Sequence, residues 1–258
     1  MVNQNDKAAN PGDNLKHPPI PFLCQKTAHW SKLTFAETHA GRGVYFSKNQ
    51  TSSHHIKNHY FGFKQATSID FYTRIQKSFY DQYYSKQGDN IPYCGSSMLA
   101  KISRPSVQLR LCEWDLINSQ ILESHIKNPD MIRNDSFHNC LDWLTENDHT
   151  ILLCDPFTIS LDGEDTSNGN LPWLFYERIL QNLSSRNAIV LLWFWSQDPA
   201  GWLKNTRNFL KQFLCFQEED YHYVITGFGE GMEIVKDLQA FEYPGWLCKN
   251  FKRSFYQK

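Results

Sequence analysis

Three short strand-like runs in this chain each stop at a carboxylate, with helix-patterned segments between them. Residues 33–36 stop at Glu37, residues 107–112 at Glu113, and the fully apolar run 150–154 at Asp155. A further run, residues 188–195, is too β-branched and aromatic to prefer helix. Residues 97–102, 116–126, 136–144, 171–183 and 202–213 carry apolar side chains at helical spacing. Strand–helix alternation of this kind predicts an α/β fold built on a doubly wound, mostly parallel sheet. Residues 221–226 and 232–235, on either side of the glycine-rich stretch 227–231, predict an antiparallel C-terminal hairpin with one reversed strand at the sheet edge.

With 258 residues, one domain spanning 1–258 accommodates this pattern. Residues 47–90 interrupt the alternation. They are rich in His, Lys, Gln and Tyr, carry a helical stripe over 69–83, and are expected to form a helical insertion after the first strand. A formal net charge of -1 gives no global basic field to advertise a nucleic-acid partner, although a local patch is compatible with it. No apolar stretch approaches the roughly 20 residues of a membrane helix, so no membrane partner is expected. The seven cysteines form no C-x-x-C pair and several sit in apolar runs, as buried thiols do in a reducing, cytoplasmic setting.

In a doubly wound fold, ligands bind beyond the carboxyl ends of the strands. Four segments belong there. In Glu37-Thr38-His39-Ala40-Gly41-Arg42-Gly43 the glycines would let the backbone approach a ligand, against the plainer reading of a tight turn. Glu113, ending the next strand, is placed to hold a ribose diol, or is simply a solvated or capping carboxylate. Asp135, before a helix, can accept a hydrogen bond from an adenine amino group, or serve as a helix cap. The fourth is Asp155-Pro156-Phe157-Thr158. A carboxylate and a proline carbonyl can both accept hydrogen bonds from an exocyclic NH2, localising its lone pair, while an aromatic neighbour stacks on the base. The competing reading is an Asp-Pro turn closing a buried strand.

His54, His55 and His59 lack a carboxylate or cysteine partner for metal binding and read as a solvated face of the insertion; no metal is expected. Trp193-Phe194-Trp195 reads as strand core or pocket wall, and the basic C-terminus (Lys249, Lys252, Arg253, Lys258) as a solvated tail.

In order, these segments resemble the RlmJ-type methyltransferases, which modify adenine N6 in 23S rRNA. Lys7-Ala8-Ala9-Asn10-Pro11-Gly12-Asp13-Asn14-Leu15-Lys16-His17 resembles that family's His-Ala-Gly-Asn-x-x-Asp-Val-Leu-Lys-His. Glu37-Thr38-His39-Ala40-Gly41-Arg42-Gly43-Val44-Tyr45 resembles Asp-Thr-His-Ala-Gly-x-Gly-x-Tyr, and Tyr93-Cys94-Gly95-Ser96-Ser97 resembles Tyr-Pro-Gly-Ser-Pro. Further matches lie at Leu111-Cys112-Glu113-Trp114, at Asn134-Asp135-Ser136-Phe137, and at Cys154-Asp155-Pro156-Phe157, where the family has Asp-Pro-Pro-Tyr. The resemblance runs over residues 7–200. It implies a Rossmann-like class I methyltransferase sheet that binds S-adenosylmethionine. It also implies His17, Glu37, His39, Gly41, Ser96, Glu113 and Asp135 along the cofactor, Asp155 and Pro156 on the target amine, Phe157 against the base, and Lys16 near the reaction centre. The implied substrate is nucleic acid, RNA in preference to DNA, in the setting of rRNA processing. The three-Cys-motif partner proteins are similar in carrying Asp-Pro-Phe-Gly at the altered position. Two alternatives stay open: a catalytically silent protein that keeps the fold and binds cofactor or a protein partner, and a methyltransferase for DNA or a small molecule.

Overall fold

A computed structural model describes residues 8–9, 11–47, 54–66, 70–84, 91–128, 131–156, 159–160, 171–195, 210, 212–218, 221–244, 247 and 252–257. The chain opens with two short helices, α1 (Pro11–Lys16) and α2 (Pro19–Lys26), and enters the sheet at β1 (Thr34–Glu37). β2 (Val44–Ser47) leads to the helix pair α3 (His54–Gln65) and α4 (Phe71–Tyr84), and β3 (Ile91–Cys94) returns antiparallel to β2. Then follow α5 (Ser96–Ser103), β4 (Gln108–Cys112), α6 (Leu116–Ile126), β5 (Ile132–Arg133), α7 (Phe137–Thr145) and β6 (His149–Cys154). A small pair, β7 (Ile159–Ser160) and β8 (Leu171–Pro172), precedes α8 (Trp173–Leu183) and β9 (Asn187–Trp195). The last part comprises β10 (Gln212–Glu218), β11 (Tyr221–Phe228), α9 (Gly231–Asp237) and β12 (Lys252–Gln257).

The main sheet has eight strands in the order β12-β10-β11-β9-β6-β1-β4-β5. From β5 to β9 all neighbours are parallel; β11 runs antiparallel to both β9 and β10, and β12 antiparallel to β10. This is a doubly wound, mostly parallel α/β sheet with antiparallel C-terminal strands, as expected. Two strands are reversed, β11 inside the sheet and β12 at its edge.

Both faces of the sheet are covered, which is why its central strands are apolar at nearly every position. Ile151 and Leu153 of β6 join one core cluster with Ile189, Leu191 and Trp193 of β9. The alternate residues Leu152, Cys154, Val190 and Leu192 join the other, beneath α7 and α8. The chain builds outward from β1 through β4 to β5, then crosses back to β6. The switch point therefore lies between β1 and β6, where a doubly wound sheet opens a crevice.

Register brings the strand ends level. Glu37 pairs with Leu111 on β4 and Leu153 on β6, so Glu113 and Asp155 each lie two residues beyond the same line. The loop after β1 is tied across both neighbours, the Thr38 amide donating to the Leu153 carbonyl at 3.0 Å and the Ala40 amide to the Cys112 carbonyl at 2.9 Å.

Several expectations need correction. Residues 232–235 are helix α9, not a strand. The glycines there serve close packing instead of a hairpin: a Cβ on Gly231 would meet the Ala188 carbonyl oxygen at 2.2 Å, and one on Gly227 the Gly231 backbone at 2.3 Å. The antiparallel hairpin is instead β10–β11. Of the helix expected over 202–213, residues 202–209 and 211 lie outside the described residues, and Gln212 and Phe213 open β10. Leu171 and Pro172 belong to β8, so α8 starts at Trp173. His59 is buried at 5% exposure, not on a solvated face; the side chains of His54 and His55 lie outside the described residues. Lys252 and Arg253 belong to an edge strand rather than a tail, with Arg253 donating to the Gln239 and Phe241 carbonyls. Among the described residues, no helix is long and apolar enough to cross a membrane.

Candidate functional site

Helix α1 is only six residues long, too short to be stable by itself, and tertiary contacts hold it. Its closing carbonyls, which no intrahelical amide can satisfy, are taken by distant tyrosines: Tyr223 donates to the Lys16 carbonyl at 3.0 Å and Tyr243 to the Leu15 carbonyl at 2.7 Å. Gly12 lies flat on the Trp193 indole, where a Cβ would come within 2.4 Å of the ring. The same indole supports the Lys16 ammonium, 4.9 Å from the ring centroid.

Thus fixed, Lys16 reaches the end of β6. Its Nζ lies 2.5 Å from Asp155 Oδ2 and 2.8 Å from Asp13 Oδ1. Asp13 and Lys16 are three residues apart, which puts both on one helix face. Burial opposes charge on Lys16, but the two carboxylates outweigh it and push its pKa up. Asp13 is likewise buried, yet Lys16, His17 and the Ala9 amide (2.6 Å from Oδ2) hold its carboxyl below the ordinary range. At Asp155 burial prevails over Lys16 and the carboxyl is raised.

Glu37, 1% exposed, accepts a hydrogen bond from Ser96 Oγ at 2.5 Å. Its second oxygen, Oε2, is buried with no hydrogen-bond partner among the described residues. Burial, aided by the nearby Asp155 and Glu113 charges, lifts the Glu37 carboxyl well above its usual value against the pull of Ser96 and Lys16. Glu113 is met by backbone donors, the Gly41 amide at 2.7 Å and the Asp115 amide at 2.9 Å. Burial raises its pKa to about 7 despite those bonds. Gly41 and Gly43 have φ of 60° and 69°, left-handed values that suit glycine, and they fold the loop back over Glu113.

The structure therefore gathers Lys16, Glu37, Gly41, Ser96, Glu113 and Asp155 around the switch point. His17 lies next to them, 3% exposed, with Nδ1 2.6 Å from the Tyr93 hydroxyl. His39 has Nδ1 2.8 Å from Thr38 Oγ1, and its ring packs against Phe137 at 4.9 Å. Asp135 is exposed at the start of α7, where Oδ1 accepts from the Ser136 amide at 2.7 Å and Asn139 Nδ2 at 3.0 Å; these are the bonds of a local turn. Pro156 is buried, and Phe157 and Thr158 lie outside the described residues. Asp13 is the residue that sequence reasoning missed. Its spacing to Lys16 was the available signal. Trp114 is a second omission, a ring 59% exposed immediately after Glu113.

No family model matches the chain, and no curated protein does. Among solved structures the chain is similar to protein LPL1258 from Legionella pneumophila, described under the family designation DUF519. The two share 17% identity and a TM-score of 0.65, over 97% of this chain and 98% of that one. That likeness shows a shared fold. The chain also matches a precorrin-6y C5,15-methyltransferase from Geobacter metallireducens at 11% identity and a TM-score of 0.34, over 52% of this chain and 74% of that one, too loose a likeness to bear on chemistry.

The acceptors at the site fit a cofactor that carries hydroxyl and amino groups. Glu37 Oε2 is a buried oxygen with no hydrogen-bond partner among the described residues, able to accept or, when protonated, to donate, and the Glu113 carboxyl is pre-oriented by two amides with lone pairs to spare for a diol.

Proposed function

We propose that this protein is an S-adenosylmethionine-dependent methyltransferase that acts on adenine N6 in nucleic acid, RNA in preference to DNA. The observation that carries the reading is the clustering of Glu37, Glu113 and Asp155 at three adjacent strand ends, the last two each two residues past the line of Glu37, with Lys16 set between Asp13 and Asp155. The order of motifs shared with the RlmJ-type enzymes supports it.

Bound at this site, S-adenosylmethionine would supply an electrophilic methyl. Glu113 would accept from the ribose hydroxyls, and His17, Glu37, His39, Gly41 and Ser96 would line the rest of the cofactor, with Asp135 reaching it from the exposed start of α7. Asp155 and the Pro156 carbonyl would accept from the two hydrogens of an adenine amine and so localise its lone pair for transfer. Phe157, which lies outside the described residues, is the aromatic that the resemblance assigns to stacking on the flipped base. Lys16 keeps Asp155 ionised, and therefore able to accept, even though burial raises the carboxyl. No strong base is needed before transfer, because the amine proton becomes acidic only once the methyl has arrived. The setting is cytoplasmic, and the target process rRNA modification.

One observation favours a second reading, a protein that keeps the fold but does not transfer methyl groups. Asp155 Oδ2 is already bonded to Lys16 at 2.5 Å, a contact that holds α1 to the end of β6 whether or not an amine binds at Oδ1. Calorimetric titration with S-adenosylmethionine, followed by tritiated methyl transfer to total RNA and to DNA, separates the two. The enzyme reading expects binding, label in RNA, and a loss of at least about a hundredfold in transfer for Asp155→Ala. Absence of binding at millimolar cofactor, or full transfer by Asp155→Ala, overturns it.

A further inference from the structure

The insertion differs in charge from the rest of the chain. Residues 47–90 carry six lysines and arginines against three aspartates, a net +3, whereas the remaining residues carry 20 against 24 acidic ones, a net -4. Its helices also turn a distinct face outward. On α3, Ile56, His59 and Phe63 are buried, while Lys57, Phe61 and Lys64 follow at spacings of four and three on another face. Phe61 is 55% exposed, with a lysine one turn to either side. On α4, Arg74 is exposed and Lys77 half-buried, between the buried Tyr72, Ile75, Gln76 and Phe79. Lys64 joins the two helices, its Nζ 5.5 Å from the centre of the Tyr60 ring on α3 and 5.4 Å from that of Tyr80 on α4.

Several cations elsewhere are already committed. Lys26 and Lys236 pair with Asp237 and Glu233, and Lys101, Arg104 and Arg253 donate to backbone carbonyls. Lys57, Lys64, Arg74 and Lys77 have no carboxylate at ion-pair distance among the described residues. Asp70 is taken up at the start of α4, accepting from the Thr73 amide at 2.8 Å and its hydroxyl at 2.6 Å. Unpaired cations around an exposed ring match a line of phosphates whose bases are free to stack. A duplex keeps its bases stacked on one another, whereas RNA presents them in loops and single-stranded segments. With a net -4 elsewhere, a polyanion is drawn to this face rather than to the whole surface.

The face is also fixed beside the site. Gln76 of α4 donates to the Cys94 carbonyl at 3.4 Å, two residues before Ser96, and His59 of α3 meets the Tyr93 ring edge-on at 4.9 Å. The Tyr93 hydroxyl in turn lies 2.6 Å from His17 Nδ1. We propose that Lys57, Phe61, Lys64, Arg74 and Lys77 form the docking surface for a single-stranded segment of RNA, the cations on its phosphates and Phe61 on a base. That this RNA carries the target adenine rests on the reading given under Proposed function; the surface itself does not.

The test measures binding of a short single-stranded RNA of mixed sequence to the full chain without cofactor, by fluorescence anisotropy over a range of salt. Lys57→Gln, Lys64→Gln and Lys77→Gln are compared singly and together with Phe61→Ala, and Lys236→Gln serves as control because its ammonium pairs with Glu233. The triple variant should bind about tenfold or more weakly, and its slope of log affinity against log salt should flatten by about 2, at ~0.7 per lost contact. Phe61→Ala should weaken binding about fivefold or more with the slope unchanged, as lost stacking does. The single variants keep the test decisive should the triple variant fail to fold. No RNA binding by wild type, wild-type affinity in the folded lysine variants, or an equal loss in the control overturns the proposal. So does tighter binding of DNA of the same sequence, or equally tight binding of polyglutamate. RNA binding that depends on these residues, in a chain that takes up no S-adenosylmethionine, would uphold the surface and overturn the methyltransferase reading.

Discussion

Asp13 and Glu37 are hidden from water to nearly the same degree, 6% and 1% exposed, yet their carboxyls shift in opposite directions. Asp13 has an ammonium at 2.8 Å and an amide at 2.6 Å. Glu37 has one hydroxyl and a bare oxygen. Glu113 stands between them, with two amides but no ammonium, and its pKa rises to about 7. Burial is common to all three, and the strength of the donors decides the charge. A site built this way sets a fixed cation and carboxylate beside carboxyls that burial pushes up.

The largest break in this comparison is Lys16→Met. It leaves Asp13 and Asp155 buried without their cation, and we expect unfolding in urea to become easier by about 3–5 kcal/mol at pH 7. A loss under 1 kcal/mol would mean that the two carboxylates find other compensation. Next comes Glu113→Gln, read as a pH profile. A carboxyl raised in the folded state stabilises fully below its unfolded value of 4.5, and that contribution is lost as pH rises through the folded value near 7. The stability of the variant relative to wild type should therefore climb between these limits by about 1–3 kcal/mol, and a flat difference would contradict the assignment. At acid pH Glu37→Gln has the smallest expected effect. The wild-type carboxyl is already held neutral, so the neutral amide should lie within about 1 kcal/mol of wild type at acid pH. Its relative stability should then improve as pH rises past the ordinary glutamate range. A large loss at every pH would show that Glu37 folds ionised.

The sheet was legible because β6 and β9 are buried on both faces, and that condition leaves an unbroken apolar run in the sequence. The short ribbon β2–β3 left no such trace. Its partners are separated by the whole α3–α4 insertion, and four residues per strand give little alternation to read. Residues 232–235 suit strand or helix equally by type; the tight approach of Gly231 to β9 selected helix, and only the fold shows that approach. The same divide runs through the site. Glu37, Glu113 and Asp155 announce themselves as charges at the ends of apolar runs. His59 does not, because its neighbours in sequence are polar and its burial comes from Tyr72 and Tyr93. The bond between Lys16 and Asp155 joins residues 139 apart, a distance that no local pattern encodes.

The tyrosines that hold α1 give the molecule an order of assembly. Leu15 and Lys16 leave the ribosome 228 and 207 residues ahead of Tyr243 and Tyr223, the residues that satisfy their carbonyls. A domain folding during synthesis can settle β1, β4 and β6 early. Lys16 cannot be set against Asp155 until nearly all of the chain has emerged. The charged pair at the site is thus among the last contacts to form, so a nascent or truncated chain would have its sheet before it had its site.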